Sequence, residues 1–230
     1  MTKTLTIDLW TWPLDVEAHE CGRLAGFLAE DERERARRFH FDRDRDRYVV
    51  ARGTLREILA GRVAEPPAAL RFAYGGHGKP ALDRPLPSPH FNLSHSRDRA
   101  ALALCDGAAL GLDIEAIRPF GEGVAERFFA PGEVAALRAL PEHEQVPAFF
   151  RCWTRKEAVL KALGDGLARP LAGFEVSLAD EERPPLVSMR GEPGAARDWA
   201  LVHFVPADGF LGAIALRAKG AKLDLRLHPA

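Results

Sequence analysis

The sequence has no long apolar run, almost no net charge and few cysteines. No stretch approaches the roughly 20 apolar residues that a transmembrane helix requires, so we expect no membrane-spanning segment. The formal net charge is −1 although 28% of the residues are charged, which argues against a general nucleic-acid binder, since such proteins carry an excess of basic residues. The cysteines, Cys21, Cys105 and Cys152, are far apart and odd in number, which favours reduced thiols and a cytoplasmic location.

The residues that are present indicate a globular protein with two similar halves. A hydrophobic fraction of 47% over 230 residues is enough to bury about 70% of the unfolded surface. In the first half, the hydrophobic periodicity predicts a strand, three helices and three strands, at residues 5–9, 17–27, 31–39, 45–59, 70–74, 90–93 and 100–105. The second half predicts the same order, at residues 110–115, 122–129, 132–140, 145–163, 174–178, 199–205 and 210–216.

This repeated order predicts the fold. We expect an α/β (α+β) protein built as a pseudo-twofold tandem of two similar halves, residues 1–108 and 109–230, each a small antiparallel-rich sheet packed with helices. Residues 75–89 are rich in Gly and Pro and should form an exposed loop, where binding residues are usually held.

A short acidic motif ends the apolar run that begins the second half. If Asp113-Ile114-Glu115 is extended, its two carboxylates project to one face and Ile114 projects to the other. This arrangement suits a divalent cation. The alternative is a strand edge with two solvated acids, and the motif alone does not decide between them.

The long helix of the second half adds a third carboxylate. Trp153, Glu157 and Lys161 are four residues apart and share one helix face, although a surface salt bridge and a core tryptophan are the simpler interpretation. Gly164-Asp165-Gly166-Leu167 should cap the helix and turn the chain sharply, which fixes the position of this face. Three carboxylates, completed by waters and substrate phosphates, are the ligands that Mg²⁺ prefers, whereas the cysteines and histidines lack the spacing of a zinc site.

Residues 78–80 and 92–96 of the first half, and the helix before them, carry hydrogen-bond donors that suit phosphate oxygens. A hydrolase nucleophile is disfavoured because no Gly-x-Ser-x-Gly motif is present and because adjacent Ser94 and His95 would point in opposite directions in an extended segment. Ser94 and His95 are better explained as hydrogen-bond donors to phosphate oxygens. Helical arginines are more often solvated, but two of them could add bidentate contacts. The residues expected at phosphates are Arg47, Arg52, Gly78, Lys79, Pro80, Ser94 and His95.

Four segments, taken in order, resemble the signature blocks of the 4′-phosphopantetheinyl transferases. They are Gly78–Leu82, Phe91–Ser96, Gly111–Glu115 and Trp153–Lys161, within a similarity that spans residues 30–167. Each block is short, but four blocks in the right order are hard to obtain by chance. The Trp-x-x-Lys-Glu-Ala form resembles the larger, single-chain, surfactin-synthetase-activating type, which serves peptide, polyketide and siderophore synthetases, and not the small trimeric type of fatty-acid synthesis.

The resemblance implies a pseudo-twofold monomer with coenzyme A in the cleft between its halves. The first half would hold the nucleotide end, with Lys79, Ser94 and His95 lining the adenosine and 3′-phosphate. The second half would hold the metal and the catalytic residues. The residues implied at Mg²⁺ are Asp113, Glu115 and Glu157, and Lys161 is implied at the same phosphates.

The sequence departs from the family pattern at one place. Glu32 stands where members of this type often have a basic residue, just before the arginine-rich segment 33–39. Which of these arginines contacts the nucleotide is therefore left open.

The implied reaction is attack of a carrier-protein serine on the β-phosphorus of coenzyme A, which releases adenosine 3′,5′-bisphosphate. Glu157 is the implied base, directly or through water, and Lys161 is implied to hold the phosphate oxygens. Two alternatives remain. A noncatalytic coenzyme A or nucleotide-binding module has no reason for three carboxylates, and a metal-dependent phosphohydrolase usually needs more acidic ligands and a water-activating base.

The partner implied by this reaction is an apo acyl or peptidyl carrier protein. Carrier proteins are typically acidic with an apolar docking surface, so the docking site should combine apolar and basic side chains. At least one of Phe128 and Phe129 should instead belong to the core. The candidate docking residues are Ile117, Arg118, Phe120, Arg127, Phe128 and Phe129.

Overall fold

Two small β-sheets with a hydrophobic core between them, and helices on their outer sides, form the body of the protein. The computed structural model describes residues 3–76, 78–83, 88–164, 169–183, 185–192 and 194–229. The first half contains β1 (Thr4–Pro13), α1 (Ala18–Ala25), α2 (Glu30–Arg37), α3 (Asp42–Val63), β2 (Phe72–Tyr74), β3 (Pro80–Leu82), β4 (His90–Ser96) and β5 (Arg99–Cys105). The second half contains β6 (Leu110–Ala116), α4 (Val124–Phe128), α5 (Pro131–Ala139), α6 (Glu142–Leu163), β7 (Phe174–Val176), β8 (Leu186–Met189), α7 (Ala195–Asp198), β9 (Trp199–Phe204), β10 (Phe210–Arg217) and β11 (Lys222–His228).

The strands confirm the predicted α/β class with small, antiparallel-rich sheets. One sheet has the order β11-β1-β5-β4, and the other has the order β6-β10-β9. All neighbours in these sheets are antiparallel except β1 and β11, which are parallel. Two short hairpins, β2-β3 and β7-β8, lie beside them.

Side-chain alternation along β5 shows how the layers are built. Ala100, Leu102 and Leu104 pack with α3 in a cluster on the outer side of the first sheet. The residues between them, Ala101 and Ala103, belong to a second cluster shared with β6, β9 and β10. Because successive side chains of a strand point to opposite faces, one strand serves both cores. Helix α6 covers the other side of the second sheet.

The predicted elements are present, and four more were not predicted. Strand β3 lies within the predicted loop 75–89, and β8, α7 and β11 follow the predicted helix α6. Strand β11 pairs with β1, so the end of the second half completes the sheet of the first half. The division of the chain after residue 108 stays a prediction, and β11 crosses it. No helix in the described residues is long and apolar enough to span a membrane.

A buried ion pair fixes α6 against its neighbours. Lys156 Nζ lies 2.7 Å from Glu133 Oε2, and both side chains are almost fully buried. Lys156 also donates to the carbonyls of Leu171 and Phe174, while Glu133 accepts from the amide of Val176. Because both charged groups lose their hydration on folding, removal of one partner leaves the other as an uncompensated buried charge. This pair therefore sets the rotation of α6, and with it the direction of the adjacent Glu157.

We predict that Lys156→Met destabilises the protein by about 3–5 kcal/mol, because Glu133 is left buried without its cation. The measurement is urea unfolding followed by circular dichroism. Arg138→Met is the matched control, since it breaks the exposed Arg138–Glu126 pair and should cost at most about 1 kcal/mol. Equal losses of unfolding free energy in the two variants would contradict the role of Lys156.

Candidate active site

The predicted carboxylates lie where strand β6 meets helix α6. Ile114 is buried in the core between the sheets, while Asp113, on the opposite face of β6, contacts α6. Lys161 Nζ lies 2.7 Å from Asp113 Oδ1. The acidic motif of β6 and the face of α6 that carries Glu157 and Lys161 therefore lie side by side, which is the arrangement that the family resemblance implied.

The electrostatics of this cluster favour an added cation. Burial raises the pKa of Asp113 to about 6, opposed by Lys161 and reinforced by Glu115 and Glu157. Burial also raises the pKa of Glu157, with Lys161 opposing and Glu115 adding to the shift. The Oδ2 atom of Asp113 is buried and has no hydrogen-bond partner among the described residues. Mutual repulsion and an unsatisfied oxygen are both relieved by a divalent cation.

The carboxylates alone do not form a complete metal cage. Within the described part of the chain, no three His, Cys, Asp or Glu side chains lie close enough together to hold a metal ion by themselves. A cation at this position would be coordinated by carboxylates together with substrate phosphates and waters, as Mg²⁺ usually is. The donor set fits that ion, since all of its protein ligands are hard carboxylate oxygens.

Gly111 allows α6 to approach β6 closely. A Cβ atom at this position would lie 2.0 Å from the carbonyl oxygen of Ala158 and 2.4 Å from the amide nitrogen of Ala162, both in the backbone of α6. Any larger residue would push the helix away, since backbone atoms cannot move independently. At its end, α6 stops at Gly164 in the left-handed conformation, with φ of 75°, as predicted, whereas Asp165, Gly166 and Leu167 lie outside the described residues.

Ser94 lies beside the carboxylates, and its predicted contact with phosphate stays a prediction. Its side chain is buried, and its hydroxyl lies 3.1 Å from Asp113 Oδ1 and 3.3 Å from Lys161 Nζ. The hydroxyl also accepts a hydrogen bond from the amide of Ile114. In this position Ser94 contacts β6, the strand that carries Asp113.

A pocket of about 1180 Å³ lies in the first half, and its charged lining combines arginines with the acids Asp31, Glu32, Glu34 and Asp44. Several residues predicted at phosphates line it, namely Arg47, Arg52, Gly78, Pro80 and His95. Further lining residues were not predicted individually, namely Arg35, Arg38, Tyr48, Tyr74 and Arg97. The sequence did carry a signal for two of them, because positions 35 and 38 are three apart and share one face of a helix.

Two arginines of this pocket already have acidic partners. Arg47 makes a bidentate contact with Asp15, at 2.6 and 2.7 Å. Arg52 pairs with buried Glu32, which also pairs with Arg56. Glu32, the departure from the family pattern, is therefore the shared counter-ion of two buried arginines, and the predicted phosphate contacts of Arg47 and Arg52 stay predictions.

His95 lines the pocket and directly follows Ser94, which contacts Asp113 and Lys161. Burial lowers its pKa, and the nearby charges of Lys161 and Arg35 lower it further, while Glu115 opposes the shift. A phosphate bound beside His95 would favour its protonated, donating form.

Lys79 connects the two halves. Its Nζ atom donates to the carbonyls of Leu110 and Lys161, each at 2.7 Å, and burial lowers its pKa to about 8. Both acceptors are backbone carbonyls, one in β6 and one in α6. Lys79 is not among the residues that line the arginine-containing pocket. Its predicted contact with the 3′-phosphate stays a prediction that no contact in the structure supports.

The candidate docking residues divide into core and partly exposed positions. Phe129 is only 2% exposed, which confirms that one of the two adjacent phenylalanines belongs to the core. Phe120 is partly buried and stacks on Phe149, with ring centroids 4.0 Å apart. Phe128 meets Trp153 edge to face, so this tryptophan packs with the core, as expected.

Comparisons with known proteins agree over nearly the whole chain. Residues 109–215 match the family model described as the 4′-phosphopantetheinyl transferase superfamily, and residues 14–106 match the model described as 4′-phosphopantetheinyl transferase, N-terminal. The 4′-phosphopantetheinyl transferase HetI of Nostoc sp. is 40% identical over 93% of this chain and 89% of its own length. The 4′-phosphopantetheinyl transferase Sfp of Bacillus subtilis is 34% identical over 72% of each protein.

Among solved structures, the holo-[acyl-carrier-protein] synthase of Thermotoga maritima aligns with 47% of this chain and 62% of that chain, at 22% identity and a TM-score of 0.38. The extent and identity of the match to HetI are sufficient for assignment. The chain belongs to the 4′-phosphopantetheinyl transferase superfamily, in the larger, Sfp-like type, and is an enzyme of that class.

Proposed function

We propose that this transferase moves the phosphopantetheine arm of coenzyme A to a serine of an apo acyl or peptidyl carrier protein, with Mg²⁺, and releases adenosine 3′,5′-bisphosphate. The observation that carries the proposal is that neighbouring residues of β4 reach both places, since Ser94 contacts Asp113 and Lys161 while His95 lines the arginine-containing pocket. Coenzyme A has a phosphorylated nucleotide at one end of its pyrophosphate. Arginines and His95 of the pocket offer hydrogen-bond donors to the nucleotide phosphates, and the nearby carboxylates offer oxygen ligands to a cation at the pyrophosphate.

The carboxylates and Lys161 have distinct tasks in the proposed reaction. Mg²⁺, when bound, would neutralise the pyrophosphate and stabilise charge on the leaving oxygen. Asp113, Glu115 and Glu157 would hold the ion. Asp113 Oδ2 would gain most from it, because this buried oxygen has no hydrogen-bond partner among the described residues. Lys161, whose ammonium already lies at Asp113, would hold phosphate oxygens as a point charge.

Glu157 is the proposed base for the carrier serine. Its pKa is raised above the ordinary value, chiefly by burial, and a carboxylate becomes a stronger proton acceptor as its pKa rises. It would take the proton from the serine hydroxyl as the oxygen attacks the β-phosphorus. The protein otherwise acts by positioning and by complementing charge, as in other phosphoryl transfers.

The surroundings of the reaction follow from the same proposal. A cytoplasmic location is supported by three cysteines that remain free thiols. A monomeric enzyme is supported by the presence of the pocket and the carboxylate cluster in one chain. The carrier protein and its pathway are to be identified by comparing transfer rates on several apo carrier proteins.

We predict that Asp113→Ala and Glu157→Gln each abolish transfer without unfolding the protein, because each removes a ligand of the ion that neutralises the pyrophosphate. The measurement is mass spectrometry of an apo carrier protein incubated with coenzyme A and Mg²⁺. Glu126→Gln is the matched control, since Glu126 is an exposed acid of α4 that pairs with Arg138. Transfer at the wild-type rate by either site variant at saturating Mg²⁺ would refute the metal assignment, and hydrolysis of coenzyme A without transfer would favour a phosphohydrolase.

We predict that His95 recognises the 3′-phosphate of coenzyme A. Loss of a charge-assisted contact costs about 1.5–3 kcal/mol, so His95→Ala should raise KM for coenzyme A roughly tenfold to a hundredfold and spare kcat, because the contact is common to ground and transition states. The measurement compares coenzyme A with 3′-dephospho-coenzyme A in both proteins. If the variant retains the wild-type preference for coenzyme A, His95 has another role.

The same comparison in Lys79→Ala decides between two roles for Lys79. A phosphate contact predicts loss of the preference for coenzyme A, as in His95→Ala. The carbonyl contacts of Lys79 in the structure predict instead an intact preference with a lower free energy of unfolding.

We predict that the docking surface is separable from the coenzyme A site. Phe120→Ala should raise KM for the carrier protein and leave KM for coenzyme A within about twofold, as expected for a local interface anchor. Leu227→Ala is the control and should change neither constant. It removes an exposed apolar side chain from β11, which pairs with β1 in the first sheet. An equal change of both constants in Phe120→Ala would place Phe120 in the core through its stacking on Phe149.

A further inference from the structure

The edges of the two main sheets meet through side chains. Strands β4 and β6 belong to different sheets, and alternate side chains of β4 accept hydrogen bonds from alternate backbone amides of β6. We call these three contacts the polar ladder. Asn92, Ser94 and Ser96 accept from the amides of Leu112, Ile114 and Ala116, at 2.7, 3.3 and 3.2 Å.

The polar ladder replaces a missing strand. On its other side β6 pairs with β10, so the outward amides of β6 would otherwise be buried donors without acceptors, which is costly. The spacing of two residues on both strands matches the alternation of strand side chains and strand amides. The ladder therefore sets the register of β6 relative to the first half.

Two of the three rungs also contact the acids of β6. The hydroxyl of Ser94 lies 3.1 Å from Asp113 Oδ1, and the hydroxyl of Ser96 lies 2.8 Å from Glu115 Oε2. Each hydroxyl accepts from the amide that follows an acid and can donate to that acid, since a hydroxyl is both acceptor and donor. The third rung, Asn92, lies opposite the Gly111–Leu112 step, where no acid is present.

Ser96 is the rung whose effect can be isolated. Its side chain is buried, and it has no other role in the proposed reaction. Glu115 is also approached by Arg118, but at 3.5 Å and from an exposed side chain. The hydroxyl of Ser96 therefore provides the short contact that fixes the direction of the Glu115 carboxylate.

We propose that Ser96 is a positioning residue for Glu115, which it holds in the direction that a divalent cation requires. The proposal rests on the metal site proposed above. Groups that hydrogen-bond a metal ligand typically change metal affinity tenfold to a hundredfold when they are removed. The effect should fall on cation affinity and not on the reaction once the cation is bound.

The experiment measures Mn²⁺ binding directly, by electron paramagnetic resonance of the free ion in the presence of saturating coenzyme A. Ser96→Ala should raise the Kd for Mn²⁺ about tenfold, and Ser96→Thr, which keeps the hydroxyl, should restore most of the affinity. Transfer by Ser96→Ala should approach the wild-type rate at saturating Mg²⁺. Amide hydrogen exchange at Ala116 should become faster, because its acceptor is lost.

Asn92→Ala is the matched control within the same ladder. It removes the acceptor of the Leu112 amide but no contact to an acid, so it should speed exchange at Leu112 and leave the Kd for Mn²⁺ within about twofold of wild type. Ser188→Ala controls for loss of any serine–glutamate contact, since Ser188 contacts Glu175 at an exposed site on β8.

The outcomes separate the two proposals. Unchanged Mn²⁺ affinity in Ser96→Ala, or an equal loss in Asn92→Ala, would overturn the positioning role of Ser96 while leaving the metal site intact. Failure of the wild-type protein to bind Mn²⁺ would overturn the metal site itself, and the positioning role with it.

Discussion

The close approach of α6 to β6 at Gly111 is the constraint on which the active site depends. The backbone of the helix occupies the space that a side chain at this position would need, so the distance between helix and strand is set by the absence of one carbon atom. That distance brings Lys161 to Asp113. On the opposite side of α6, the buried Lys156–Glu133 pair prevents rotation. Gly111 thus fixes the separation of α6 from β6, and the Lys156–Glu133 pair fixes the rotation of α6 about its own axis.

The second requirement is a stable interface between the halves, because the proposed nucleotide pocket lies in the first half and the carboxylates lie in the second. The structure uses polar groups for this interface where backbone pairing is absent. Lys79 donates to carbonyls of the second half, and Asn92 accepts from an amide of β6. Buried polar contacts of this kind contribute little net free energy when satisfied but are costly when broken, so they specify one arrangement of the halves more than they stabilise it.

The sequence predicted those features that depend on local periodicity. Alternation along residues 113–115 correctly put Ile114 on the core face of β6 and Asp113 on the opposite face, whereas the nearness of these acids to Glu157 and Lys161 was implied by the family resemblance and not by either spacing. Features that depend on tertiary pairing were not predicted. Arg52 looked like a solvated or phosphate-binding helical arginine, yet it is buried against Glu32, and no local pattern tells which arginine meets which acid.

Strand β11 was missed for a related reason. Its alternating segment Lys222–His228 has the strand pattern, but its partner β1 lies at the other end of the sequence, and pattern alone does not reveal pairing across such a separation. The polar ladder was missed because Ser94 was interpreted by its chemistry as a donor to substrate. In the structure the same hydroxyl accepts from a backbone amide.

The parallel pairing of β1 with β11 has a consequence for synthesis of the chain. Thr4 lies opposite Lys222, so β1 leaves the ribosome long before β11, and its outer edge stays uncovered until β11 has been made. During that time β1 presents unpaired amides and carbonyls, the kind of edge on which chains associate. The many interactions of high sequence separation also make closure of this sheet a slow step. Completion of the sheet that contains β1 therefore waits for β11, which is made after every strand of the other main sheet.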